Sequence, residues 1–600
     1  MSARKFVRLA LGAAVFLASY VFLSQTEFVY VVSKGRQWRS WKYVPSSFDW
    51  GNRPEVHPVE EEEEDMMVPL PEGNPLQLPR VQHEFSADEL SSSHNETQRA
   101  RRDAVRKAAK RSWRAYSKHA WGRDEVAPQS LIGRDTFAGW GATLVDSLDA
   151  LWIMGMEKEF QDAVEHVATI DWNNATTGHC SLFETNIRYL GGLLSAYDLS
   201  GEQILLDKAI ELGNMLYAGF DTPNHMPANH FSFDLAKEGR LTASNREASA
   251  AVGSLSLEFT RLSQLTGDPK YYRAIDGIKR HLERTQDSTS LPGMWPIFVD
   301  LENNFLTPET SYSLGSYADS AYEYLSKMYV LLGGLDPTYA KLHAKAMATV
   351  EKHILFRPML PDDDPAPDVL FPGTVLSNGR IVELSPEIQH LACFAGGMFA
   401  LGGRLLGNED HVETGERLAR GCAWAYDAFP TGIMPEKAEL IPCVAEEKGK
   451  GGEDSLAPCA WNETRWRERA RQRHGEQQLP PPGFAALIDP QYQLRPEAIE
   501  SIFVLYRVTG KPDLLDVAWR MFESITAATR TRAAYSAIED VRATGQTSKL
   551  DSMESFWIAE TLKYFYLIFS EPELISLDDY VFNTEAHPFK RPKPDTSYEQ

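Results

Sequence analysis

The apolar residues between about residue 99 and Phe569 recur at helical spacing, and few stretches alternate as half-buried strands would. Turns that contain glycine interrupt this pattern, the clearest of them at Gly201, Gly267, Gly334, Gly407 and Gly510. The first of these turns lie about 66 to 73 residues apart, which is the length of a helical hairpin with its loops. At each turn one helix is predicted to end on glycine and the next to begin at a capping residue or proline.

Counted with weaker turns, the pattern predicts seven helical hairpins. We therefore expect an all-α fold, an (αα)7 barrel or α/α toroid, in which the hairpins form a closed ring. An open helical solenoid is the alternative, because periodicity alone does not show whether the ring closes.

The two ends of the chain follow other patterns. Residues 1–8 are basic and residues 9–32 mostly apolar, which predicts a cytosolic tail and an uncleaved signal-anchor, with a cleaved signal peptide as the alternative. Residues 33–98 are rich in proline, serine and acids and predict a disordered stem. Residues 99–588 form the predicted folded domain, with an inserted surface loop at 440–485, and residues 589–600 form a tail.

The net charge and the cysteine content exclude some classes of function. The net charge of −23 argues against a nucleic-acid partner, which would require a basic face. Five cysteines without a C-x-x-C pair argue against a zinc or redox motif. Asn-x-Thr sequons at Asn95, Asn174 and Asn462, together with the N-terminus, favour the lumen of the secretory pathway. The basic run 99–102 also resembles a furin-type cleavage site, which would release the folded domain.

Acidic residues occupy one recurrent place, about 9 to 17 residues before the turns, in otherwise apolar helices. They are Asp146, Glu184, Glu258, Asp319 with Glu323, Glu497 with Glu500, and Glu560, and His390 takes this place in the fifth unit. Buried carboxylates are costly unless they are paired or bind metal, so the repeat predicts one cavity lined by acids. Carboxylates and aromatic rings suit carbohydrate, and glycoside hydrolysis requires two carboxyl groups.

A short stretch near the C-terminus, residues 581–588, adds further oxygen donors. Asn583, Thr584 and Glu585 offer hard oxygens, which suit Ca²⁺ rather than zinc. Taken alone, the stretch would also fit a C-terminal loop that packs against the core.

Several of these segments closely resemble the signatures of the class I α-1,2-mannosidases, glycoside hydrolase family 47. The segments are Phe183–Tyr197, Asp319–Leu325, Leu494–Ser501, Met553–Phe556 and Ala559–Tyr564. The match runs in order from about residue 100 to Pro588. The resemblance implies an (αα)7 barrel, dependence on Ca²⁺, and inverting removal of α-1,2-linked mannose from high-mannose N-glycans.

The resemblance also implies roles for individual residues. Glu184 is expected to be the general acid, acting through a water, Glu497 the base, and Asp319 the third catalytic carboxylate. Inversion requires the acid and base carboxyls to stand about 6.5–9.5 Å apart. Thr584 is expected to ligate Ca²⁺ directly, while Glu500, Glu560 and Glu585 hold its waters. The expected substrate-binding residues are Asp146, Arg188, Glu258, Arg495, Phe556, Glu560 and Glu585.

Family likeness further implies a disulfide between Cys393 and Cys422. We add a local bridge between Cys443 and Cys459, on the two sides of the insertion, which leaves Cys180 free. The expected protein is a single-pass type II membrane protein of the endoplasmic reticulum or Golgi. Its catalytic domain is expected to be lumenal and monomeric.

One departure from the family concerns specificity. Enzymes of the endoplasmic reticulum that trim one mannose carry an arginine two residues before the key aspartate, where this chain has Tyr317. The sequence therefore leaves open which mannose is removed and how many. Two hypotheses remain: an active processing mannosidase, which the intact carboxylates favour, and a glycan-binding quality-control factor with little or no hydrolysis.

Overall fold

The computed structural model of the chain describes residues 42–59, 69–86, 89, 92–303, 308–361, 367–443, 456–474 and 479–595. The chain divides into two compact units, residues 1–43 and 44–600. The predicted cytosolic tail and signal-anchor at residues 1–32 lie outside the described residues. Within the described ranges no helix is both long and apolar enough to cross a membrane.

Helices dominate the second unit. The α-helices of the described residues are α1 Ser92–His119, α2 Ala142–Asp146, α3 Leu148–Ile153, α4 Glu157–Val167, α5 Leu182–Glu184, α6 Gly191–Ser200, α7 Gln203–Tyr217, α8 Phe233–Lys237, α9 Ser249–Gly253, α10 Ser256–Thr266, α11 Pro269–Thr285, α12 Asp319–Leu331, α13 Pro337–His353, α14 Ala395–Leu406, α15 Glu409–Asp427, α16 Glu463–His474, α17 Glu497–Thr509, α18 Asp513–Thr529 and α19 Leu562–Ile568. Two π-helical segments, Thr185–Leu190 and Trp557–Thr561, lead into α6 and α19.

Short strands connect many of these helices. They are β1 Glu125–Ala127, β2 Ile132–Arg134, β3 His179–Ser181, β4 His230–Ser232, β5 Glu247–Ala248, β6 Phe298–Val299, β7 Ser311–Ser313, β8 Leu355–Phe356, β9 Phe371–Pro372, β10 Thr374–Ser377, β11 Val382–Ser385, β12 Glu387–Gln389, β13 Lys437–Leu440, β14 Phe484–Asp489, β15 Tyr580–Phe582 and β16 Pro588–Lys590. All pairings are antiparallel, in two- and three-stranded sheets. The all-α prediction missed them because strands this short give too few residues for an alternating pattern.

The order of helix contacts follows the predicted hairpins. The pairs α3–α4, α6–α7, α10–α11, α12–α13, α14–α15 and α17–α18 each pack together, and α19 packs on α1. The first members also contact one another in sequence, from α3 through α6, α10, α12, α14 and α17 to α19. The π-helical segment before α19 returns to contact α3. Among these first members, α10, α12 and α17 carry recurrent acids, namely Glu258, Asp319 with Glu323, and Glu497 with Glu500. Asp146, Glu184, His390 and Glu560 lie in the short segments that precede α3, α6, α14 and α19.

Glycines end the helices where the turn pattern predicted them. Gly201, Gly267, Gly407 and Gly510 follow α6, α10, α14 and α17 in the left-handed conformation, with φ of 74°, 72°, 68° and 70°. This conformation costs a residue with a Cβ free energy, and glycine avoids that cost.

The stem prediction is wrong for residues 44–59 and 69–86, which pack on the helical unit. Trp50 is 6 % exposed and its ring contacts Phe231, while Val81 is 1 % exposed. Arg53 forms a buried ion pair with Asp221 at 2.5 Å. These few apolar and charged anchors hold the segments in place although their composition is typical of disorder.

The basic run 99–102 is an internal part of α1 and not an accessible cleavage site. Arg101 donates to Asp516 at 2.6 Å and its guanidinium stacks over Trp519, and Arg102 donates to Glu571 at 2.7 Å. A protease needs an extended segment, so the interpretation as a furin-type site is not supported by this helix.

The insertion is a small folded element rather than a loop throughout. It contains α16, and Met359, Ile441, Trp466 and Ala485 form a separate buried cluster beneath it. Disulfides join Cys443 to Cys459 and Cys393 to Cys422, with Cα–Cα distances of 5.5 and 6.0 Å. Both predicted pairings are confirmed, and Cys180 is free and buried.

Candidate active site

Glu184 ends α5, directly before the π-helical segment Thr185–Leu190. Ser181 caps α5 by accepting the Glu184 N–H at 3.2 Å. One carboxylate oxygen of Glu184 accepts from Arg188 Nε at 2.9 Å, and the Glu184 side chain is 32 % exposed. π-helical turns often mark functional sites because the extra residue re-aims side chains. The predicted general acid is therefore partly open to solvent and paired with the predicted substrate-binding arginine.

Arg188 joins the predicted acids to one another. Its NH1 donates to Glu585 Oε2 at 2.8 Å and to Ser555 Oγ at 3.2 Å, and it lies 3.7 Å from Asp146 Oδ2. Burial alone would lower the pKa of Arg188, but Glu585, Glu184 and Asp146 raise it well above the ordinary value. The guanidinium is thus always charged and offsets several carboxylates at once.

Two aromatic rings flank the guanidinium. The Arg188 side chain lies 5.0 Å from the ring centre of Phe137 and 5.8 Å from that of Phe556. Arg495 lies 5.8 Å from the same Phe556 ring. The three predicted substrate-binding side chains Arg188, Arg495 and Phe556 are therefore neighbours, and an apolar ring between two cations suits the apolar face of a sugar.

The stretch near the C-terminus forms the turn of the β15–β16 hairpin and enters the core. Asn583, Glu585 and His587 are buried, whereas Thr584 is half-buried. Thr584 donates its backbone N–H to the hydroxyl of Tyr324 at 3.2 Å. The turn packs in the core, as the simple alternative expected, and it also lies among the predicted acids, since Glu585 accepts from Arg188 and His587 contacts Asp146.

Asn583 fixes this turn and is not available as a metal ligand. Its Nδ2 donates to Glu258 Oε1 at 2.7 Å and to Ile187 O at 3.0 Å. Its Oδ1 accepts from the backbone N–H groups of Glu585 and His587 at 2.9 and 2.8 Å. The expectation that Asn583 offers an oxygen to Ca²⁺ is therefore wrong, because the structure uses that oxygen inside the turn.

A buried ionic chain runs below the turn. His587 bridges Asp146 Oδ1 at 3.0 Å and Asp149 Oδ2 at 2.8 Å. Lys563 lies 2.8 Å from Asp149 Oδ1 and donates to Ala586 O at 2.6 Å. Burial would raise the pKa of Asp149, but Lys563 and His587 hold it below the ordinary value. Each charge in this chain has a partner, which buried charges require.

Glu497 and Asp319 differ sharply in electrostatics. Glu497 accepts from His390 at 2.9 Å and lies 3.8 Å from Arg495. Burial acts to raise its pKa, but His390 and Arg495 lower it below the ordinary value. Asp319 begins α12, and burial together with the charges of Glu323 and Glu497 raises its pKa to about 7. Near neutral pH Glu497 is thus ionised, whereas Asp319 exchanges between its protonated and ionised forms.

The three acids predicted to hold the waters of an ion lie buried close together. Burial and neighbouring negative charges raise the pKa of Glu500 and Glu560 well above the ordinary value, and that of Glu585 to about 8. The charges that act on Glu560 are those of Glu585, Glu497, Asp146 and Glu500, in that order. A bound cation would favour the charged form of these acids, and all donors are hard oxygens, which fit Ca²⁺.

Direct ligation by several side chains is not what this site offers. Within the described part of the chain, no three His, Cys, Asp or Glu side chains are placed to hold one metal ion together. Direct ligation of an ion by Thr584, with the acids in contact through water, stays a prediction.

Glu258 lies below the turn and is fully enclosed. It accepts from Tyr324, Asn186 and Asn583 at 2.7–2.8 Å, and burial raises its pKa to about 7. The substrate-binding role that the resemblance implies for Glu258 stays a prediction.

Tyr317 stands beside Asp319 and is 60 % exposed, in the left-handed region with φ of 74°. Its carbonyl accepts from Ala250 N at 2.9 Å, and its ring packs 5.4 Å from that of Phe298. A bulky residue at positive φ is strained, and such strain concentrates at functional sites.

Several residues of the site were not assigned by sequence. His390 was recognised by position but not as the partner of Glu497, and its other nitrogen contacts Tyr426 OH at 2.7 Å. Glu436, which pairs with Arg495 at 2.5 Å, precedes a strand and so has no helical periodicity to mark it. In the sequence, Asp149 and Lys563 look like ordinary charged residues of helices. Only the structure sets them apart from such residues, because both side chains have zero exposure.

Comparison with known proteins gives consistent matches. The family described as glycosyl hydrolase family 47 matches residues 108–591. A mannosyl-oligosaccharide alpha-1,2-mannosidase of Coccidioides posadasii is 35 % identical over 86 % of this chain and 95 % of its own. An endoplasmic reticulum mannosyl-oligosaccharide 1,2-alpha-mannosidase of Rattus norvegicus is 34 % identical over 81 % of this chain and 68 % of its own. The solved alpha-1,2-mannosidase from Trichoderma reesei superposes with a TM-score of 0.72 at 33 % identity, covering 82 % of this chain and 99 % of that one.

Proposed function

The chain belongs to glycosyl hydrolase family 47 and is a glycoside hydrolase, and on that premise we propose that it removes α-1,2-linked mannose from high-mannose N-glycans with inversion and with Ca²⁺. The observation that carries the proposal is that an ionised Glu497 lies near carboxyls with raised pKa, Asp319 and Glu500, on both of which its charge acts. Hydrolysis with inversion needs a base that activates water and an acid that protonates the leaving oxygen.

Glu497 is assigned the role of base. His390 and Arg495 stabilise its charged form, so it is ready to accept a proton from water at neutral pH. We assign Glu184 the role of proton donor, acting through a water. In its ion pair with Arg188, the Glu184 side chain is more exposed to solvent than Glu497 is in its pair with His390. Asp319, protonated below about pH 7, donates a hydrogen bond to the sugar and is the competing candidate for the donor.

The residues that would hold Ca²⁺ are Thr584 as direct ligand and Glu500, Glu560 and Glu585 through waters. Thr584 is half-buried while its neighbours in the turn are buried. The three acids have raised pKa values, and a bound cation would lower those pKa values. A bound Ca²⁺ supplies ligand positions for sugar hydroxyls and offsets the local negative charge. Asn583 and His587 fix the turn that presents Thr584.

The fold proposed for this function is the closed (αα)7 barrel. The sequential contacts from α3 through α19, and the return of the segment Trp557–Thr561 to α3, support closure over an open solenoid. The β15–β16 hairpin carries Thr584 and Glu585 in its turn, and β3 directly precedes the short helix that ends at Glu184.

We place the protein in the endoplasmic reticulum or Golgi, with its catalytic domain in the lumen. Relatives named for the endoplasmic reticulum and the two disulfides support the lumenal location, because disulfides form in that compartment. The membrane anchor at residues 9–32 stays a sequence-based prediction. Tyr317, exposed beside Asp319, is the residue proposed to choose among mannose branches.

The test is release of mannose from a nine-mannose N-glycan, with Ca²⁺ or with chelator, read by mass and branch. The wild-type protein is expected to release mannose only with Ca²⁺, with β-mannose as the first anomer formed. Glu497→Gln keeps the shape of the side chain but cannot accept the proton, and is expected to lower kcat by about 100-fold or more. Binding of the glycan without release would refute hydrolysis and favour the glycan-binding quality-control factor.

A further inference from the structure

We propose that this chain is itself N-glycosylated, at Asn174 and at Asn462. The proposal rests on the lumenal location given under the proposed function, because oligosaccharide transfer takes place in that compartment. Both asparagines stand in Asn-x-Thr sequons with no proline at the middle position. The structure selects these two from the three sequons by the placement of each amide.

Asn174 presents its side chain to solvent from a fixed backbone. Its N–H donates to Asp171 O at 3.0 Å, and its carbonyl accepts from Trp140 Nε1 at 3.1 Å. Asn174 and Thr176 are both exposed, and the hydrogen bonds that Asn174 makes among the described residues are those of its main chain. The loop is therefore held by its main chain while the acceptor nitrogen stays accessible.

Asn462 uses one atom of its amide and leaves the other available. Its Oδ1 accepts from Arg465 N at 2.9 Å and so caps the first turn of α16. Nδ2, the atom that receives a glycan, is not needed for the cap, and both Asn462 and Thr464 are exposed. Attachment at Nδ2 therefore preserves the hydrogen bond that begins the helix.

Asn95 differs from both. It lies inside α1, is half-buried, and has a contact with a neighbouring group. A glycan on Nδ2 would have to project from a helix face that packs on the protein. We therefore expect Asn95 to stay unmodified.

An independent feature links Asn462 to the same compartment. The disulfide Cys443–Cys459 ends three residues before the acceptor and closes the folded insertion. Disulfide formation and glycan transfer both occur in the oxidising lumen of the secretory pathway. The insertion thus carries two separate marks of lumenal folding.

The transfer step requires a co-substrate, a lipid-linked oligosaccharide pyrophosphate, and its transferase. The bond from sugar C1 to the pyrophosphate oxygen breaks, and that oxygen keeps the electron pair. A new bond forms between C1 and Asn Nδ2, which loses one proton. The product is of the same chemical class as the proposed substrate of this enzyme.

The experiment expresses the full chain in a eukaryotic secretory system and reads each site by peptide mapping after peptide:N-glycosidase treatment, which leaves aspartate at a modified asparagine. Treatment with the glycosidase is expected to increase the electrophoretic mobility of the wild-type protein by two steps, one for each glycan removed. Thr176→Ala and Thr464→Ala each remove one sequon, so each variant is expected to shift by one step only. Thr176→Ser and Thr464→Ser keep the sequon and are expected to shift by two steps, as wild type does. Asn95→Gln is the matched control and is expected to change nothing.

Unmodified asparagine at both 174 and 462 would overturn the proposal. The same peptide map reports Cys443–Cys459, which separates two causes of such a failure. An intact disulfide with mannose release would leave the lumenal hydrolase standing and reject the acceptor sites alone. A reduced pair would show that the location itself is wrong, and with it the basis of both proposals.

Discussion

The substitution Asn583→Asp replaces a buried amide nitrogen with oxygen and leaves the size of the side chain unchanged. In the folded protein, Nδ2 donates to Ile187 O and to Glu258 Oε1. Aspartate keeps the acceptor for Glu585 N and His587 N but loses both donors. The change therefore tests whether the turn that presents Thr584 depends on these two hydrogen bonds.

The expected cost is large because Ile187 O loses its side-chain donor while it stays buried, although Glu258 Oε1 keeps the hydroxyl of Tyr324 as a donor. An unpaired buried acceptor costs about 1–3 kcal/mol. The new carboxyl would also stand where Nδ2 lies 2.7 Å from Glu258, so one of the two acids has to hold a proton. Holding it at pH 7 against an ordinary aspartate pKa costs roughly 4 kcal/mol. We expect a total loss of at least about 4 kcal/mol at pH 7.

The loss should depend on pH with a definite sign. A carboxyl whose pKa is raised in the folded state contributes stability at low pH that is lost as pH rises through the folded pKa. Burial already raises the pKa of Glu258 to about 7, and an aspartate at 583 adds a second such group. The difference between variant and wild type should therefore be smaller at about pH 5 than at about pH 7.5.

The assay is the midpoint of thermal unfolding together with the Ca²⁺ dependence of mannose release. Unfolding entropy of about 2.1 cal/mol/K per residue gives roughly 1 kcal/mol per degree for a domain of this length, so the midpoint should fall by about 4 °C or more. Asn408→Asp is the matched control. Asn408 caps α15 with its oxygen alone, and aspartate caps equally well.

The reasoning would be refuted by a variant that unfolds within about 1 °C of wild type and needs no more Ca²⁺ for activity. Such a result would mean that water or a rotated side chain replaces the lost donors. A loss of stability that grows on acidification would contradict the sign derived from the raised pKa of Glu258.

Three further outcomes are expected. His390→Gln removes a group that lowers the pKa of Glu497, so the acidic limb of the kcat/KM profile should move to higher pH; a shift to lower pH would contradict this. Lys563→Met leaves the buried Asp149 without its cation and should cost about 3–5 kcal/mol in chemical unfolding, while Lys593→Met at the surface should cost less than about 1 kcal/mol. A chain that begins at residue 44 should keep the thermal midpoint of the full chain, whereas one that begins at residue 99 loses the buried Trp50 and should unfold several degrees lower; equal midpoints would refute the packed stem.

Local patterns determined the helical part of the fold and its turns. Gly267 and Gly510 were predicted as helix ends because left-handed backbone favours glycine, a preference that needs no tertiary contact. The recurrent acids Glu184, Asp319 and Glu497 were also predicted to form one cluster, because a repeat architecture brings equivalent positions of its units together. The resemblance of the sequence motifs then indicated the family, and the comparisons confirm that family.

The tertiary structure alone decided which charges meet. Lys563, Asp149 and His587 are separated along the chain, and no spacing rule pairs residues on different helices and a distant turn. Asn583 was expected to be a metal ligand because its residue type offers an oxygen, and its burial inside the turn reversed that expectation. The stem prediction failed for the same reason. Its composition predicted disorder, but Trp50 is buried and packs against Phe231 in the folded chain. Sequence reports the propensity of each segment, whereas burial and pairing depend on partners that only the folded chain brings together.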